Sequence, residues 1–231
     1  MRLRFGAVVE RVAWRRGRVE TASSAGNFEA PRAVVTLPLG VLQARSVALD
    51  PEPAALREAI AGLEMGQAIR MVLRFRRAVW EDRAEFRNLG FLFSSERWMP
   101  TWWTTLPVRT PVITGWVAGP HAEERVEDDP GLWLADGLRT LARLLGTSAE
   151  ELSGELEAWH THNWHADPFA RGAYSYPRAG GLEAQRRFGE PVEDTLYFAG
   201  EATNADGHEG TVHGALATGM RAARQILGAA G

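Results

Sequence analysis

Apolar and polar residues alternate in short runs through the first part of the chain. Residues 12–14 (Val-Ala-Trp) and 18–21 (Arg-Val-Glu-Thr) flank a turn at Gly17, and a second turn rich in Ser and Gly precedes the apolar run at 33–36. Short β-prone runs between turns of this composition are typical of strands joined in sequence. We therefore expect a β-meander over residues 2–35.

Longer periodic segments follow in the middle of the chain. Apolar residues three or four positions apart predict a helix over 51–62, and alternation predicts a strand over 68–75. Strand-like runs at 86–117 carry four tryptophans, and 152–164 is a further predicted strand. Between these strands a helix is predicted from Asp129 to Leu145, ending at Gly146. The side expected to be buried carries Leu132, Leu134, Leu138, Leu141, Leu144 and Leu145.

The last forty residues combine a strand, a sharp turn and a helix. A short apolar run at 195–199 ends at Gly200 and Glu201, and after a polar loop a helix begins near Thr211, whose hydroxyl can cap it. Its apolar positions are Val212, Leu216, Met220, Ala223 and Leu227. The free amides and dipole at such a helix start stabilise negative charge by about 0.3–1 kcal/mol when exposed. Two interpretations stay open, an anion-binding device and an ordinary βα unit with a glycine-rich packing face.

The composition excludes several kinds of chemistry. The chain of 231 residues has no cysteine, which rules out disulfides, thiolate metal sites and a thioether-linked cofactor. It also has no lysine, so Schiff-base chemistry is ruled out. The net charge of −3 comes from mixed charges without a basic block, which argues against nucleic-acid binding. No apolar run has membrane length and no leader pattern is seen, so we expect no membrane partner and a cytoplasmic location.

The histidines do not have the spacing of a metal site. His160, His162 and His165 have only Asp167 as a nearby carboxylate at a suitable spacing. His208 and His213 are one position too far apart for the helical zinc motif, which needs its histidines at i and i+4. We therefore expect no metal.

The C-terminal segment resembles a known signature. Leu-Tyr-Phe-Ala-Gly-Glu-Ala-Thr at 196–203 and Gly-Thr-Val-His-Gly-Ala at 210–215 are similar to the C-terminal FAD-binding signature of the flavin-containing amine oxidases. That family includes monoamine oxidases, polyamine oxidases and the lysine-specific histone demethylase. The resemblance implies that Gly200, Glu201, Thr211 and Val212 bind the cofactor. Glu201 would contact the ribityl–diphosphate part of FAD, and the Val212 N–H would meet the flavin carbonyl.

Further segments extend the resemblance. It implies that Val9 lies against the adenine and that Trp164 packs near the flavin. Tyr174 would form one wall of a cage that orients the amine, because aromatic faces attract cationic nitrogen, and Thr211 would form the other wall. Ala173 stands where monoamine oxidases have the cysteine that binds FAD covalently, so the resemblance implies non-covalent FAD.

Two features depart from the family pattern. Arg70 stands where the family has a lysine joined through a water to flavin N5, and a guanidinium cannot release a proton as an ammonium can. Arg70 either holds a water or an acidic substrate near the flavin, or is an exposed strand residue. The Gly-x-Gly-x-x-Gly turn of such FAD domains has no counterpart, since no two glycines are separated by a single residue. The resemblance thus covers the second half of a family member.

The resemblance implies an α/β fold with an α+β substrate domain. A partial, Rossmann-like FAD-binding domain, built from the N-terminal β-meander and the C-terminal βα unit, would be interleaved with an antiparallel sheet flanked by helices. We expect FAD-domain segments at 1–44 and 171–231 and a substrate-binding domain at 45–170.

The implied function is oxidation of a small-molecule amine by hydride transfer from its C–N bond to FAD, with Arg70, Tyr174 and Thr211 as the catalytic candidates. Alone, this half is expected to bind FAD weakly or not at all. Two alternatives stay open: a non-catalytic truncated or split relative that serves as scaffold or partner subunit, and a flavin oxidase of a non-amine substrate. A missing half would leave apolar surface uncovered, so we expect an N-terminal-half chain as partner, or self-association.

Overall fold

The structure is a computed structural model that describes residues 3–228. The chain forms two compact units. The terminal unit combines residues 1–66 with 168–231, and the central unit comprises residues 67–167. The central unit is therefore a single continuous insertion into the terminal unit.

Short strands and helices alternate along the described chain. The strands are β1 (Val9–Arg15), β2 (Arg18–Ser23), β3 (Gly26–Ala30), β4 (Ala33–Val35), β5 (Ala48–Asp50), β6 (Leu63–Gly66), β7 (Ala68–Phe75), β8 (Phe91–Phe93), β9 (Thr101–Thr104), β10 (Val112–Ala118), β11 (Leu156–Thr161), β12 (Tyr174–Pro177) and β13 (Leu196–Phe198). The helices are α1 (Leu39–Gln43), α2 (Ala54–Gly62), α3 (Pro120–Glu123), α4 (Pro130–Leu145), α5 (Ala149–Glu155), α6 (Leu182–Phe188) and α7 (Val212–Gly228). This mixture agrees with the predicted α/β class.

The terminal unit contains the predicted meander. β1, β2 and β3 are antiparallel neighbours, and β5 joins β1 in parallel to give the order β3-β2-β1-β5. β13 pairs in parallel with β4, and all three β13 residues are buried. The rings of Phe198 and Phe188 lie 5.2 Å apart in the core beneath this pair. The strand that precedes Gly200 is thus fixed deep in the unit.

Residues 45–66 lie in the terminal unit, although the sequence assigned them to the middle domain. α2 packs against α6, because Gly62 and Gly181 lack side chains and let the two segments approach closely. β6 then pairs antiparallel with β12, which lies on the other side of the insertion in sequence.

The central unit is built on a five-stranded antiparallel sheet of order β11-β7-β10-β9-β8. Alternate residues of β7 are buried, as the sequence pattern predicted. Their face packs on α4 in one apolar core that includes Met71, Leu73, Trp102, Trp133 and Leu141. Gly137 lets α4 approach the Met71 side chain closely. The expected antiparallel sheet with flanking helices is present.

The structure corrects two details. Leu132, expected to be buried, is exposed because it lies on the side of α4 that also carries the exposed Arg139 and Arg143, away from the buried Trp133. The predicted strand over 152–164 begins only at Leu156, since residues 149–155 form α5, whose start Ser148 and Glu151 stabilise by a capping box. Elsewhere, α4 has the predicted ends, with Asp129 as N-cap and Gly146 in the left-handed conformation.

Within residues 3–228, no helix is long and apolar enough to cross a membrane.

Candidate functional site

Gly200 makes the turn after β13 possible. Its φ of 126° is one that residues with a side chain rarely adopt. The Gly200 N–H donates to Thr218 Oγ1 at 3.0 Å, and Thr218 lies on the buried side of α7. The end of the strand is therefore held against the helix that follows it.

The Glu201 carboxylate joins two segments of the terminal unit. It accepts hydrogen bonds from the Ser175 N–H at 3.1 Å, the Ser175 hydroxyl at 2.8 Å and the Gly210 N–H at 2.8 Å. The hydroxyl and Gly210 bonds both end on Oε2, so Oε1 keeps most of its acceptor capacity. Glu201 thus fixes β12 to the loop before α7, and its Oε1 can accept one further donor besides the Ser175 N–H.

Thr211 is the N-cap of α7, as predicted. Its Oγ1 accepts from the Gly214 N–H at 3.1 Å and donates to the His208 carbonyl oxygen at 2.6 Å. The hydroxyl is therefore used within the chain on both sides. By helix geometry the amides of Val212 and His213, which precede Gly214, have no intrahelical acceptor. These amides form a positively polarised helix start.

Tyr174 lies next to this helix start. Its ring packs on Gly210, where an added Cβ would already be 3.4 Å from the ring atoms. Burial raises the pKa of the Tyr174 phenol above its ordinary value, because desolvation disfavours the phenolate. The side chain is therefore a neutral aromatic surface at physiological pH.

A second polar group ties α7 to the strand and loop. The Arg221 guanidinium donates to the carbonyl oxygens of Phe198 and Thr203, each at 2.8 Å. Burial lowers the pKa of Arg221 from its ordinary value, and the charge of Asp206 opposes this shift. Together with Thr218, Arg221 gives α7 a polar inner face.

The outer face of α7 is apolar and exposed. Val212 is 79%, Leu216 66% and Met220 58% exposed, and Leu227 continues the same stripe. We call these four residues the α7 stripe. Surface patches of this kind mark interaction sites when they are contiguous.

The remaining candidates lie elsewhere. Val9 is the first residue of β1, half-buried against the core of the terminal unit. Arg70 and Trp164 belong to the central unit. Arg70 is an exposed residue of β7, directly opposite Trp116 on β10. Trp164 is exposed and packs edge-on against His162, with the ring centroids 4.3 Å apart.

The histidines show no metal cluster among residues 3–228. His162 Nε2 lies 2.8 Å from Asp167 Oδ2, and His162 follows the last residue of β11. His208 and His213 contact each other edge-on, 4.7 Å between centroids.

The terminal unit thus brings Tyr174, Gly200, Glu201, Thr211 and Val212 to one strand–turn–helix region. Sequence reasoning missed Ser175 and Arg221, which position that region. Two signals were available: Ser175 alternates with Tyr174 and Tyr176 along a strand, and Arg221 follows Gly214 and Thr218 at helical spacing.

Comparison with known proteins gives this arrangement a context. Residues 1–227 match the profile of a family described as flavin containing amine oxidoreductase. The chain is 30% identical over 229 residues to Lysine-specific histone demethylase 1 homolog 2 of Arabidopsis thaliana, covering 96% of this chain and 30% of that protein. It is 33% identical to Polyamine oxidase 3 of Oryza sativa subsp. japonica, covering 96% of this chain and 45% of that protein.

Solved structures show the same fold. A putrescine oxidase variant from a redesign of cofactor binding superposes with a TM-score of 0.81 at 21% identity, covering 96% of this chain and 48% of that one. The wild-type putrescine oxidase bound to putrescine gives a TM-score of 0.80 at 22% identity. The chain therefore spans about half, or less, of the length of these proteins.

Proposed function

The chain belongs to the flavin-containing amine oxidoreductase family, and we propose that it forms the C-terminal half of an FAD-dependent amine oxidase. The observation that supports this best is the Glu201 carboxylate, which holds the start of α7 beside Tyr174. When bound, FAD would supply the chemistry by accepting a hydride from the C–N bond of an amine.

The donors present in the terminal unit suit a flavin nucleotide. Glu201 Oε1 accepts the Ser175 N–H and can accept a further hydroxyl donor, and the first-turn amides of Val212 and His213 favour negative charge. Gly200 leaves backbone accessible, since nothing lies within 4 Å of where its Cβ would be. Val9 and Trp164 join this set through the family resemblance. Ala173 offers no nucleophile, so the binding is non-covalent.

The three candidate catalytic residues differ in the chemical group that each can offer to a substrate. Tyr174 presents a neutral ring that orients an amine by its face. Thr211 commits its hydroxyl to the cap, so it offers a substrate only its methyl group. Arg70 offers a fixed positive charge rather than a proton.

We further propose that the α7 stripe is covered by an N-terminal-half polypeptide. Four large apolar side chains exposed on one helix face would be stabilised by burial, each by about 1.5–3 kcal/mol. The chain matches 48% of the solved putrescine oxidase chain, which leaves the other half of that fold to supply the cover.

FAD titration followed by visible absorbance tests the function. The chain alone should retain little or no flavin, and mixing it with an N-terminal-half polypeptide that carries Gly-x-Gly-x-x-Gly should give a bound-flavin spectrum and amine-dependent oxygen consumption. Glu201→Gln should weaken FAD binding in the mixture, whereas Glu209→Gln, a matched change in the same loop, should not. A mixture that pairs without flavin or turnover would instead establish a scaffold or partner subunit.

A further inference from the structure

The central sheet has a second face, opposite the one that packs on α4. We call it the outer face. It carries the alternate strand residues that point away from the core: Arg70, Val72 and Arg74 on β7, Thr114 and Trp116 on β10, Thr101 and Trp103 on β9, and Phe91 and Phe93 on β8. Phe91 and Phe93 are 64% and 72% exposed, Arg70 is exposed, and both tryptophans are half-buried.

Strand register places the aromatic residues side by side. Arg70 lies opposite Trp116, Trp116 opposite Thr101, and Thr101 opposite Phe93. In the neighbouring row Trp103 lies opposite Phe91, and their ring centroids are 6.2 Å apart. The rings of Phe91 and Phe93 are stacked at 5.8 Å. Phe91, Phe93 and Trp103 thus form an aromatic cluster, and Trp116, next to Arg70, lies diagonally across from Trp103.

The charges of the outer face are unbalanced at Arg70. Arg74 stands four residues further along the same face, and its guanidinium pairs with Glu157 at 3.0 Å. No carboxylate among residues 3–228 forms an ion pair with Arg70, and the acidic residue that reaches this face from β11, Glu157, is paired with Arg74. The face therefore presents an uncompensated cation at the edge of an aromatic surface.

We propose that the outer face binds a small aromatic carboxylate. The carboxylate pairs with the Arg70 fork, a geometry in which guanidinium and carboxylate form two parallel hydrogen bonds. The ring lies on Trp116 and Trp103. Neighbouring strands are about 4.8 Å apart, so a ligand whose ring and acid are separated by one or two carbons spans the distance.

This inference rests on the proposed function where it concerns the substrate, and it specifies the substrate class. If the chain is half of an amine oxidase, its outer face selects amines that carry both an aryl ring and an acid group. A diamine is disfavoured, because Arg70 repels its ammonium groups and the Glu157 carboxylate is already paired with Arg74.

Fluorine NMR of the chain labelled with 5-fluorotryptophan tests the proposal without any flavin. Phenylacetate should shift the Trp103 and Trp116 resonances in a saturable way and leave those of the core residues Trp102 and Trp133 unchanged. Phenethylamine, with the same ring and the opposite charge, and putrescine should shift none of them.

The matched variants are Arg70→Gln and Arg74→Gln, which remove the same charge from the same strand face. Arg70→Gln should weaken phenylacetate binding about tenfold or more, because it removes a charge-assisted hydrogen bond. Arg74→Gln should change it by less than about twofold, since that charge is already paired. Equal binding of phenylacetate and phenethylamine, or equal loss in both variants, would overturn the proposal. None of these titrations contains flavin. Their result can therefore be interpreted even if the proposed oxidase function proves wrong.

Discussion

At the scale of single residues, Glu201 has a structural task that is separate from any cofactor. Its carboxylate joins Ser175 and Gly210, which lie 26 and 9 positions away in sequence. The family resemblance pointed to Glu201 as a cofactor ligand, but no local pattern in the sequence connects it with Ser175. Long-range polar partners of this kind are set by tertiary structure, which periodicity does not encode.

Glu201→Gln should lower the free energy of unfolding by about 1–2 kcal/mol, because an amide accepts the Ser175 and Gly210 bonds less strongly than a carboxylate does. Urea denaturation of the two proteins measures the difference. Glu209→Gln is the control and should stay within about 0.5 kcal/mol of the parent. If Ser175→Ala lowers stability equally in the Glu201→Gln background and in the parent, the two side chains are not coupled, contrary to the structure.

Tyr174 should ionise above the ordinary phenol pKa of about 10, because its partial burial disfavours the phenolate. The difference between the ultraviolet pH titrations of the parent chain and Tyr174→Phe isolates this group. Because this pKa is higher in the folded state, the contribution of Tyr174 to the free energy of unfolding is complete below a pH of about 10. That contribution is lost as the pH rises through the folded-state pKa. A difference curve centred at or below 10 would show that the ring is solvated.

At the scale of elements, the clearest sequence patterns gave correct segments. β7 occupies the predicted residues, since strict alternation identifies one buried face. α4 has the predicted ends because Asp129 and Gly146 are strong boundary residues. α5 was missed because it is short, and its Ser148–Glu151 capping box was the only local signal. The apolar spacing of α7 predicted the helix, but an amphipathic pattern does not tell which face is covered.

Two glycines of α7 offer a matched pair for testing its packing. Gly214→Ala should destabilise the chain by about 1–3 kcal/mol, because the new methyl group would overlap the His208 carbonyl oxygen. Gly219→Ala should instead stabilise it by about 0.5–1 kcal/mol, since nothing lies within 4 Å of the new methyl group and alanine favours the helix. Thermal unfolding of both variants measures the difference. Equal effects would mean that the loop before α7 is not packed against Gly214.

At the scale of the whole molecule, the α7 stripe is an exposed apolar surface on a chain that spans about half, or less, of the length of its relatives. Leu216→Glu should weaken binding of an N-terminal-half polypeptide about tenfold or more, because it places a charge on a surface that association would bury. Ala217→Glu adds the same charge one residue away, outside the stripe, and should have a small effect. Sedimentation of the mixtures measures both.

Sedimentation of the chain without any partner can contradict the N-terminal-half proposal. Concentration-dependent self-association that Leu216→Glu abolishes would show that a second copy covers the stripe, and the N-terminal-half proposal would then be wrong.

The pairing of β6 with β12 has a consequence for how this molecule tolerates change. Gly66 and Tyr174 are partners in that ladder, and the Ala173 N–H donates to the Gly66 carbonyl oxygen at 2.9 Å. The β6–β12 pairing therefore holds together the two points at which the chain enters and leaves the central unit. Doubling the length of a chain segment whose ends are held together raises the entropic cost of closing it by only about 0.6 kcal/mol. A change in the length of residues 67–167 should therefore alter the stability of the β6–β12 pairing by little.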